Sequence, residues 1–352
     1  MESKTKLIIP AAGKSSRFPD MRPKWLLTHP NGKLMIENVI SNLITLDLDI
    51  YLATTAEISK KYDVPLIMQQ LFGNKVQVVE IPYQTKGPAE TVDYILTNII
   101  KEESSIIIKD SDSYVGITAL ENLYGNFSAG VDLKIHEVNQ ISSKSYIKKD
   151  NNNLIVDIVE KKISSDFIAV GLYGFSSSSD FHKHYVKLTG LDLRQEIFIS
   201  HIIYSMLVDQ VVFRYIEASQ FKDWGTINEW KSEIKKHQTV FCDYDGVLVY
   251  NKGKFGKENW HNSEDVPIIE NVKFLKQLVE DGATVLITTS RSIEFKTKIE
   301  HFLRLYEIPV FDIVCGLPHS TRILINDFAP SNPYPSAISV NVERNNQIAK
   351  YF

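Results

Sequence analysis

The sequence has little cysteine, no long hydrophobic run and no large excess of charge of either sign. Its 352 residues include only two cysteines, Cys242 and Cys315, too few for a disulfide framework or a structural zinc site. Apolar runs such as LIIPAA fall far short of the ~20 residues that a helix needs to cross a bilayer. A formal net charge of −4 argues against a nucleic acid as the main partner. We therefore expect a cytoplasmic protein with no nucleic-acid or membrane partner.

The sequence does contain a regular alternation of predicted strands and helices. The N-terminal stretch MESKTKLIIPAAG lacks the apolar region and cleavage site of a secretory signal, so we expect none. Buried strands are predicted at KLIIPA, IYLATT, VQVVEIP and SIIIKD, and helices at PLIMQQLFG and ETVDYILTNIIKE. Such alternation is typical of α/β architecture, and the length suggests about two domains.

A second series of elements begins at TVFCDYDGVLV, just after the charged, helix-like EWKSEIKKHQ. We therefore predict two domains, 1–236 and 237–352. The second should be a small doubly wound sheet. Its predicted strands are 239–243, VLITT and RILIND, and its predicted helices are 269–280, ending near Gly282, and SIEFKTKIEHFLRLY.

The first predicted strand runs into AAGKSSRF, a turn suited to a triphosphate. Its small residues would let a ligand approach the backbone closely: Ala11, Ala12 and Gly13. Lys14 and the two serines after it can offer N–H groups and hydroxyls to phosphate. Arg17 and Lys24 add fixed positive charge. The alternative is a strand-to-helix turn with solvated basic residues.

PAAGKSSRF followed by RPKWLL resembles the signature of the sugar nucleotidyltransferases, also called nucleotide-sugar pyrophosphorylases. The resemblance implies a Rossmann-like, GT-A-like mixed sheet. It also implies transfer of a nucleotidyl group from an NTP to a sugar or polyol phosphate, with release of pyrophosphate. Gly13 would then lie against the nucleotide, Arg17 would contact the β- and γ-phosphates, and Lys24 would neutralise the phosphates as the acceptor attacks.

QTKGPAETV (84–92) resembles the base-recognition stretch of that family. The resemblance implies that Gln84 and Gly87 face the base. A glutamine amide can pair with the ring N3 and carbonyl edge of a pyrimidine, which favours CTP and leaves UTP and dTTP open. From the residues alone, Gly87 and Pro88 also suit the start of a helix. The two interpretations are compatible.

Two carboxylates, Asp110 and Asp112, follow the buried strand of SIIIKDSDSYVG. Acidic side chains at the end of a strand suit a hard cation, commonly Mg²⁺ that holds nucleotide phosphates. The resemblance implies one metal-binding aspartate here, so either residue is a candidate. DWGT (223–226) resembles the late Asp-x-Gly-Thr of the family and implies that Asp223 supplies another metal oxygen. The alternative is that Asp223 caps a turn before a helix near Asn228.

IVEKKISSDFIAVGLYGF (158–175) resembles the acceptor-binding stretch of the family. The resemblance implies that Glu160 meets acceptor hydroxyls and Lys161 the acceptor phosphate, with Lys162 as an exposed alternate. Glu196 resembles a family glutamate near the acceptor. The acceptor phosphate would attack the α-phosphorus in line, so positioning and charge neutralisation suffice and no serine or cysteine nucleophile is needed.

FCDYDGVLV places Asp243 and Asp245 at the end of a strand, on the same face. One carboxylate can attack phosphorus while the other protonates the leaving oxygen; the alternatives are a metal-only pair or a hairpin turn. The segment resembles the haloacid-dehalogenase-like phosphatases. This implies Mg²⁺ held by both aspartates and by Asp327 of RILINDFAP. VLITTSR would supply the hydroxyl of Thr289, with Arg291 behind it.

The resemblance to these phosphatases has two departures. Asn326 stands where the family usually has an aspartate, and Leu317 stands where a lysine is expected. Arg322 could supply the missing cation and bind substrate phosphate, with Lys296 and Lys298 as other candidates. The segment 250–267 is too short for a cap domain and predicts an open site. This segment contains two aromatic residues, Phe255 and Trp260. They line the entrance of the open phosphatase site, or they pack in the core of the domain.

Three hypotheses of function follow. The first is a bifunctional enzyme that activates a sugar or polyol phosphate and dephosphorylates another intermediate of surface-polysaccharide (capsule) precursor synthesis. The second is a GT-A glycosyltransferase that uses Asp110 and Asp112 as its Asp-x-Asp, against which PAAGKSSRF argues. The third keeps the nucleotidyltransferase but makes the C-terminal domain a non-catalytic docking or oligomerisation module. Homo-oligomerisation is open in each.

Overall fold

The structure is a computed structural model and describes residues 4–13, 18, 21–190, 196–327 and 336–351. The chain divides into two compact units, Met1–Trp230 and Lys231–Phe352, here called unit 1 and unit 2. The division falls inside the helix Ile227–Lys236, whose last residue is the expected domain boundary. A boundary after residue 236 stays a prediction. Each unit has its own buried core.

Unit 1 is built on a mixed sheet. Its described strands are β1 (Lys6–Pro10), β2 (Asp49–Thr55), β3 (Val76–Ile81), β4 (Ile106–Lys109), β5 (Ser113–Gly116), β6 (Phe127–Asp132), β7 (Ser145–Lys149), β8 (Ile155–Glu160), β9 (Phe167–Phe175), β10 (Arg214–Glu217) and β11 (Gln220–Asp223). The main sheet has the order β10-β6-β9-β4-β1-β2-β3, and β7 pairs with β8 and β9. β1 is parallel to β2 and β4, whereas β9 is antiparallel to β4 and β6. The predicted strands β1 to β4 and the mixed α/β sheet are confirmed.

Short antiparallel strands β5 and β11 form a separate two-stranded sheet. The sequence predicts neither strand, because four residues carry too little periodicity to distinguish a strand from a loop. By contrast, β1 and β4 are buried along nearly their whole length. Continuous apolar runs of this kind are typical of central parallel strands, which are covered on both faces.

Seven helices accompany this sheet in the described residues. They are α1 (Met35–Ile40), α2 (Ala56–Tyr62), α3 (Val64–Phe72), α4 (Pro88–Ile95), α5 (Ser178–Thr189), α6 (Ile199–Val208) and α7 (Ile227–Lys236). As predicted, α4 starts after Gly87 with Pro88 in its first turn, and it continues as a π-helical turn, Leu96–Ile100. Nowhere in the described ranges does a helix combine the length and the apolar character needed to cross a membrane.

Unit 2 contains a three-stranded parallel sheet in the order β12-β13-β14. Its described elements are β12 (Thr239–Asp243), α8 (Ile269–Glu280), β13 (Thr284–Thr288), α9 (Lys296–Leu305) and β14 (Asp312–Val314). The predicted helix 269–280 is confirmed at both ends, and Gly282 after it has a φ of +113°. β14 was not predicted.

The strand predicted at RILIND is wrong in this structure. Residues 321–327 have no regular secondary structure, and Ile323, Leu324 and Ile325 are 80%, 54% and 90% exposed. Among the described residues β12 pairs only with β13, so no ladder joins RILIND to the sheet. Apolar composition favours a strand only where a neighbouring strand or a buried face is available. Within residues 237–327 and 336–351, the sheet of unit 2 therefore has three strands, and the strand expected at RILIND does not extend it.

Candidate functional site

A pocket in unit 1 gathers the three carboxylates predicted to bind metal: Asp110, Asp112 and Asp223. Asp110 follows β4, and Asp112 leads into β5. Asp223 ends β11, which pairs with β5 so that Asp223 lies opposite Ser113. The backbone N–H of Trp224 donates to the carbonyl of Asp112 over 2.9 Å. The unpredicted β5–β11 sheet is therefore what brings Asp223 to the other two aspartates.

Asp110 is half-buried and lies against the backbone of β9. Its N–H donates to the carbonyl of Gly171 over 2.8 Å. Gly171 has a φ of +75°, and a Cβ there would lie 2.5 Å from Asp110 Oδ2. Burial and the neighbouring Asp112 carboxylate raise the pKa of Asp110 to about 6. The three carboxylates offer the hard oxygen ligands that Mg²⁺ prefers, so these residues fit the expected ion.

Lysines surround the carboxylates. Lys24 forms an ion pair with Asp112, and Lys144 forms one with Asp223. Lys109 is fully buried and donates to the Asp110 carbonyl over 3.0 Å, and burial lowers its pKa to about 8. Lys24 was predicted here, whereas Lys109 and Lys144 were missed. The sequence does contain a signal for Lys109. A lysine that ends the apolar run IIIK is expected to be buried, and a buried ammonium needs polar partners close to it.

Asp223 also takes the turn role considered from the sequence, because its Oδ1 accepts from the N–H of Gly225 over 2.7 Å. The helix that follows, α7, is capped by Thr226 instead. Thr226 Oγ1 accepts from the N–H of Glu229, and the Glu229 carboxylate accepts from the N–H of Thr226. Asp223 can therefore line the pocket and hold the turn at the same time.

Two of the acceptor residues predicted from the sequence, Glu160 and Lys161, line the same pocket. Glu160 ends β8 and accepts hydrogen bonds from the hydroxyls of Ser145 and Ser200, the latter over 2.6 Å. Lys161 has a φ of +52°, and its ammonium lies 3.9 Å from the centroid of the Phe198 ring. Ser145, Ser200 and Phe198 were missed, since isolated serines and aromatics carry no distinctive sequence signal. Lys162 is exposed.

The predicted base-binding residues lie at the start of α4. Gly87 is buried, and a Cβ there would lie 2.7 Å from Glu196 Cγ and 3.0 Å from the Ile197 carbonyl. Glu196, predicted near the acceptor, therefore lies against Gly87. Gln84 is exposed on the segment that leads into the helix.

The N-terminal turn is described only in part. Ala11 and Ala12 are buried, and the Ala12 side chain belongs to the core of unit 1. Gly13 is exposed, with open space around the position that a Cβ would take. The predicted phosphate ligands Lys14 and Arg17 lie outside the described residues.

Unit 2 holds a second acidic cluster at the end of β12. Burial and the Asp245 carboxylate raise the pKa of Asp243. Asp245 accepts from Nη2 of Arg291 over 2.7 Å and from the hydroxyl of Thr289 over 3.2 Å. Arg291 is buried and also donates to Asp265 over 2.8 Å. The hydroxyl of Thr289 is thus occupied by Asp245, and the Asp245 carboxylate is itself held by the guanidinium of Arg291.

The expected cations of unit 2 differ in placement. Arg322 donates to the carbonyls of Pro318 and Ser320, and its positive charge lowers the pKa of Asp243 against the effect of burial; the His319 ring lies on the same side. His319 was missed. Lys296 pairs with Asp312 at 3.0 Å, so it is held on a surface carboxylate instead.

Three further candidates of unit 2 lie in or contact the segment 250–267: Phe255, Trp260 and Lys298. Lys298 donates to the carbonyls of Trp260 and Ser263, over 3.0 and 2.7 Å. Trp260 is buried with its ring beside the Arg291 guanidinium, whereas Phe255 is 83% exposed. The packing interpretation therefore holds for Trp260. Asp327 belongs to the irregular segment 321–327.

Comparison with known proteins gives matches only at the level of structure. No protein-family model matches the chain, and no curated protein matches it in sequence. It is similar to the nucleoside-diphosphate-sugar pyrophosphorylase of Vibrio cholerae RC9, with 19% identity and a TM-score of 0.56 over 65% of this chain and 99% of that one. It is also similar to the inositol-1-phosphate CTP transferase of T. maritima, with 14% identity and a TM-score of 0.51 over 67% and 98%.

A third similar structure, from Bacillus anthracis, is described as a candidate glucose-1-phosphate thymidylyltransferase and was crystallised with sucrose. It has 19% identity and a TM-score of 0.53 over 65% of this chain and 93% of that one. At such identities the similarities show the fold. They leave about a third of the chain without a counterpart.

Proposed function

We propose that unit 1 transfers a nucleotidyl group from an NTP to a sugar or polyol phosphate and releases pyrophosphate. The observation that carries this proposal is the single pocket lined by Asp110, Asp112 and Asp223 together with Glu160 and Lys161. The names of the similar structures support it, since each describes chemistry on a nucleotide and a sugar or inositol phosphate. CTP is the favoured donor, with UTP and dTTP as alternatives.

Mg²⁺ would be held by Asp223 and by one or both of Asp110 and Asp112. When bound, it would offset the charge of the triphosphate. Burial of Asp110 beside Asp112 makes two adjacent carboxylates costly without a cation, which favours ion binding. Lys14, Gly13 and the backbone around Ala11 and Ala12 would bind the nucleotide.

The protein groups then act by position and charge. Arg17 and Lys24 would contact the triphosphate, where fixed cations favour the developing charge of the leaving pyrophosphate. Glu160 already accepts two serine hydroxyls, so it can accept hydroxyls of the acceptor in the same way. Lys161 would bind the acceptor phosphate. That phosphate is itself the nucleophile, and a phosphate oxygen needs no general base at neutral pH.

We further propose that unit 2 is a Mg²⁺-dependent phosphatase of the same surface-polysaccharide pathway. Asp243 would attack phosphorus and displace the sugar oxygen, which Asp245 would protonate so that it leaves as the alcohol. Water would then hydrolyse the aspartyl-phosphate and release inorganic phosphate. Arg322, with His319, would bind the phosphate. Two observations favour the alternative of a non-catalytic docking or oligomerisation module: Arg291 holds Asp245, and Asp327 lies in an irregular segment.

The nucleotidyl transfer is tested by pyrophosphate release, with four NTPs screened against a panel of sugar and polyol phosphates. We expect activity in the wild type and a loss of roughly 10²–10³-fold in turnover for Lys24→Ala and Asp223→Ala, because each removes charge that acts in the transition state. Asp157→Ala is the matched control, since Asp157 only pairs with Lys148 on the surface of β7 and β8. Pyrophosphate from no combination, or wild-type turnover in both site variants, would contradict the proposal. Transfer of a sugar without pyrophosphate would favour the glycosyltransferase.

A further inference from the structure

Two of the carboxylates assigned to the metal each have a lysine ammonium as partner. Lys24 pairs with Asp112, and Lys144 pairs with Asp223. All four side chains are at most 19% exposed. Carboxylates shielded from water in this way are costly without a positive partner, so the two ammonium groups stabilise the pocket. An ammonium and a divalent cation carry like charge and compete for the same carboxylate, so binding of one weakens binding of the other.

Lys144 lies between the metal side and the acceptor side of the pocket. It directly precedes β7, where Ser145 pairs with Glu160 across the ladder. Its carbonyl accepts from the N–H of Lys161 over 3.0 Å. Its ammonium is on Asp223 and lies 3.6 Å from Glu229 Oε1. Lys144 therefore joins the two sides of the pocket: its side chain holds a metal carboxylate, and its backbone holds Lys161, which would bind the acceptor.

We propose that Lys144 exchanges partners during binding. Its ammonium neutralises Asp223 while no metal is bound. When a divalent cation takes Asp223, the ammonium is released and binds the acceptor phosphate beside Lys161. Two lysines then face a phosphate monoester dianion, and Glu229 keeps the released ammonium near the pocket. The inference rests on the proposed function of unit 1 and makes metal binding precede tight binding of the acceptor phosphate.

The first test measures binding of Mn²⁺ alone to the full chain, by titration calorimetry without nucleotide. Lys144→Met should bind Mn²⁺ roughly tenfold more tightly than the wild type, because the competing ammonium is gone and Asp223 has lost its positive partner. Lys144→Gln, which keeps a hydrogen-bond donor but no charge, should show the same direction. Lys148→Met, four residues further along in β7, is the matched control, and its Mn²⁺ affinity should equal that of the wild type.

The second test measures binding of inorganic phosphate with and without Mn²⁺. In the wild type Mn²⁺ should strengthen phosphate binding, because it releases Lys144, and phosphate should strengthen Mn²⁺ binding by the same factor. Both Lys144 variants should lose most of this coupling. Lys148→Met should keep it.

Equal or weaker Mn²⁺ affinity in both Lys144 variants, with melting temperatures near that of the wild type, would overturn the exchange. If Lys144→Met fails to fold, Lys144→Gln decides by the same criterion. The proposed function fails separately. A wild type that releases no pyrophosphate from any NTP overturns it, whatever the Mn²⁺ affinities. A wild type that releases pyrophosphate while its Lys144 variants bind Mn²⁺ equally overturns only the exchange.

Discussion

Gly171 leaves space for the half-buried carboxylate of Asp110. Gly171 lies inside β9, and a glycine inside a strand often marks close approach of another group. Here the approaching group is Asp110 itself, whose Cβ would lie 2.8 Å from a Cβ at position 171. The glycine also has a φ of +75°, which side chains with a Cβ rarely adopt.

Gly171→Ala should therefore displace Asp110 and weaken Mn²⁺ binding by at least about tenfold, because both the backbone conformation and the contact are lost. Titration calorimetry with Mn²⁺ measures this directly. Gly190→Ala is the control, since a Cβ there meets only ordinary contacts of 3.5 Å and longer. Unchanged Mn²⁺ affinity in a folded Gly171→Ala protein would show that Asp110 does not need this position.

The sequence predicted the carboxylates of the site better than its cations. Asp110, Asp112 and Asp223 stand out because they follow apolar strands or lie in a recognisable motif. Lys144 does not stand out, because SSKSYIKK contains similar lysines at 148 and 149. Lys148 pairs with a surface aspartate and Lys144 with a site aspartate. Lys144 differs from Lys148 because the pairing of β5 with β11, which are distant in sequence, brings Asp223 into the site.

At the scale of elements, α5 and α6 pack through a buried histidine. His184 on α5 is 3% exposed, and its Nδ1 lies 2.9 Å from the hydroxyl of Ser205 on α6. Burial lowers the pKa of His184, although Asp209 partly opposes this. In the unfolded chain the histidine has its ordinary value of ~6.5, so below that pH the unfolded state binds more protons. Stability of this packing should therefore fall as the pH falls below about 6.5.

His184→Gln should make that fall shallower, because glutamine can bond to Ser205 without taking a proton. Hydrogen exchange of the amides of α5 and α6, compared with the wild type at pH 7 and pH 5, measures it. His201, whose pKa burial also lowers, should keep part of the slope. His136→Gln, at a half-buried position elsewhere, should leave the slope unchanged. Equal slopes in the wild type and in His184→Gln would contradict the assignment.

The strands and helices that the sequence predicted correctly are those with the longest apolar runs or the clearest apolar periodicity. The buried strands β1 to β4 and the helix α8 followed from runs and periodicity alone. The short strands β5, β11 and β14 were not predictable, because their pairing depends on distant partners. RILIND shows the opposite error: its composition suits a strand, but its side chains are exposed and form no ladder.

At the scale of the whole molecule, two units carry two acidic sites. Each unit has a core of its own. In each, two aspartates lie near the carboxyl end of a strand that has a parallel neighbour, β4 in unit 1 and β12 in unit 2. Separate cores favour independent folding of the two units. The two proposed activities should then respond separately to substitutions, which a single shared site would not allow.

Asp243→Asn tests this separation most directly. An amide is a far poorer nucleophile than a carboxylate of the same shape, so release of phosphate from sugar phosphates should be abolished. Pyrophosphate release should stay within a few-fold of the wild type, and it should also persist in a chain truncated after Lys236. Asp281→Asn, at an exposed position after α8, is the matched control for both assays. A wild type without metal-dependent phosphatase activity on any sugar phosphate would favour the docking module. Loss of both activities in a folded Asp243→Asn protein would show that the sites are coupled, because Asp243 belongs to unit 2 alone.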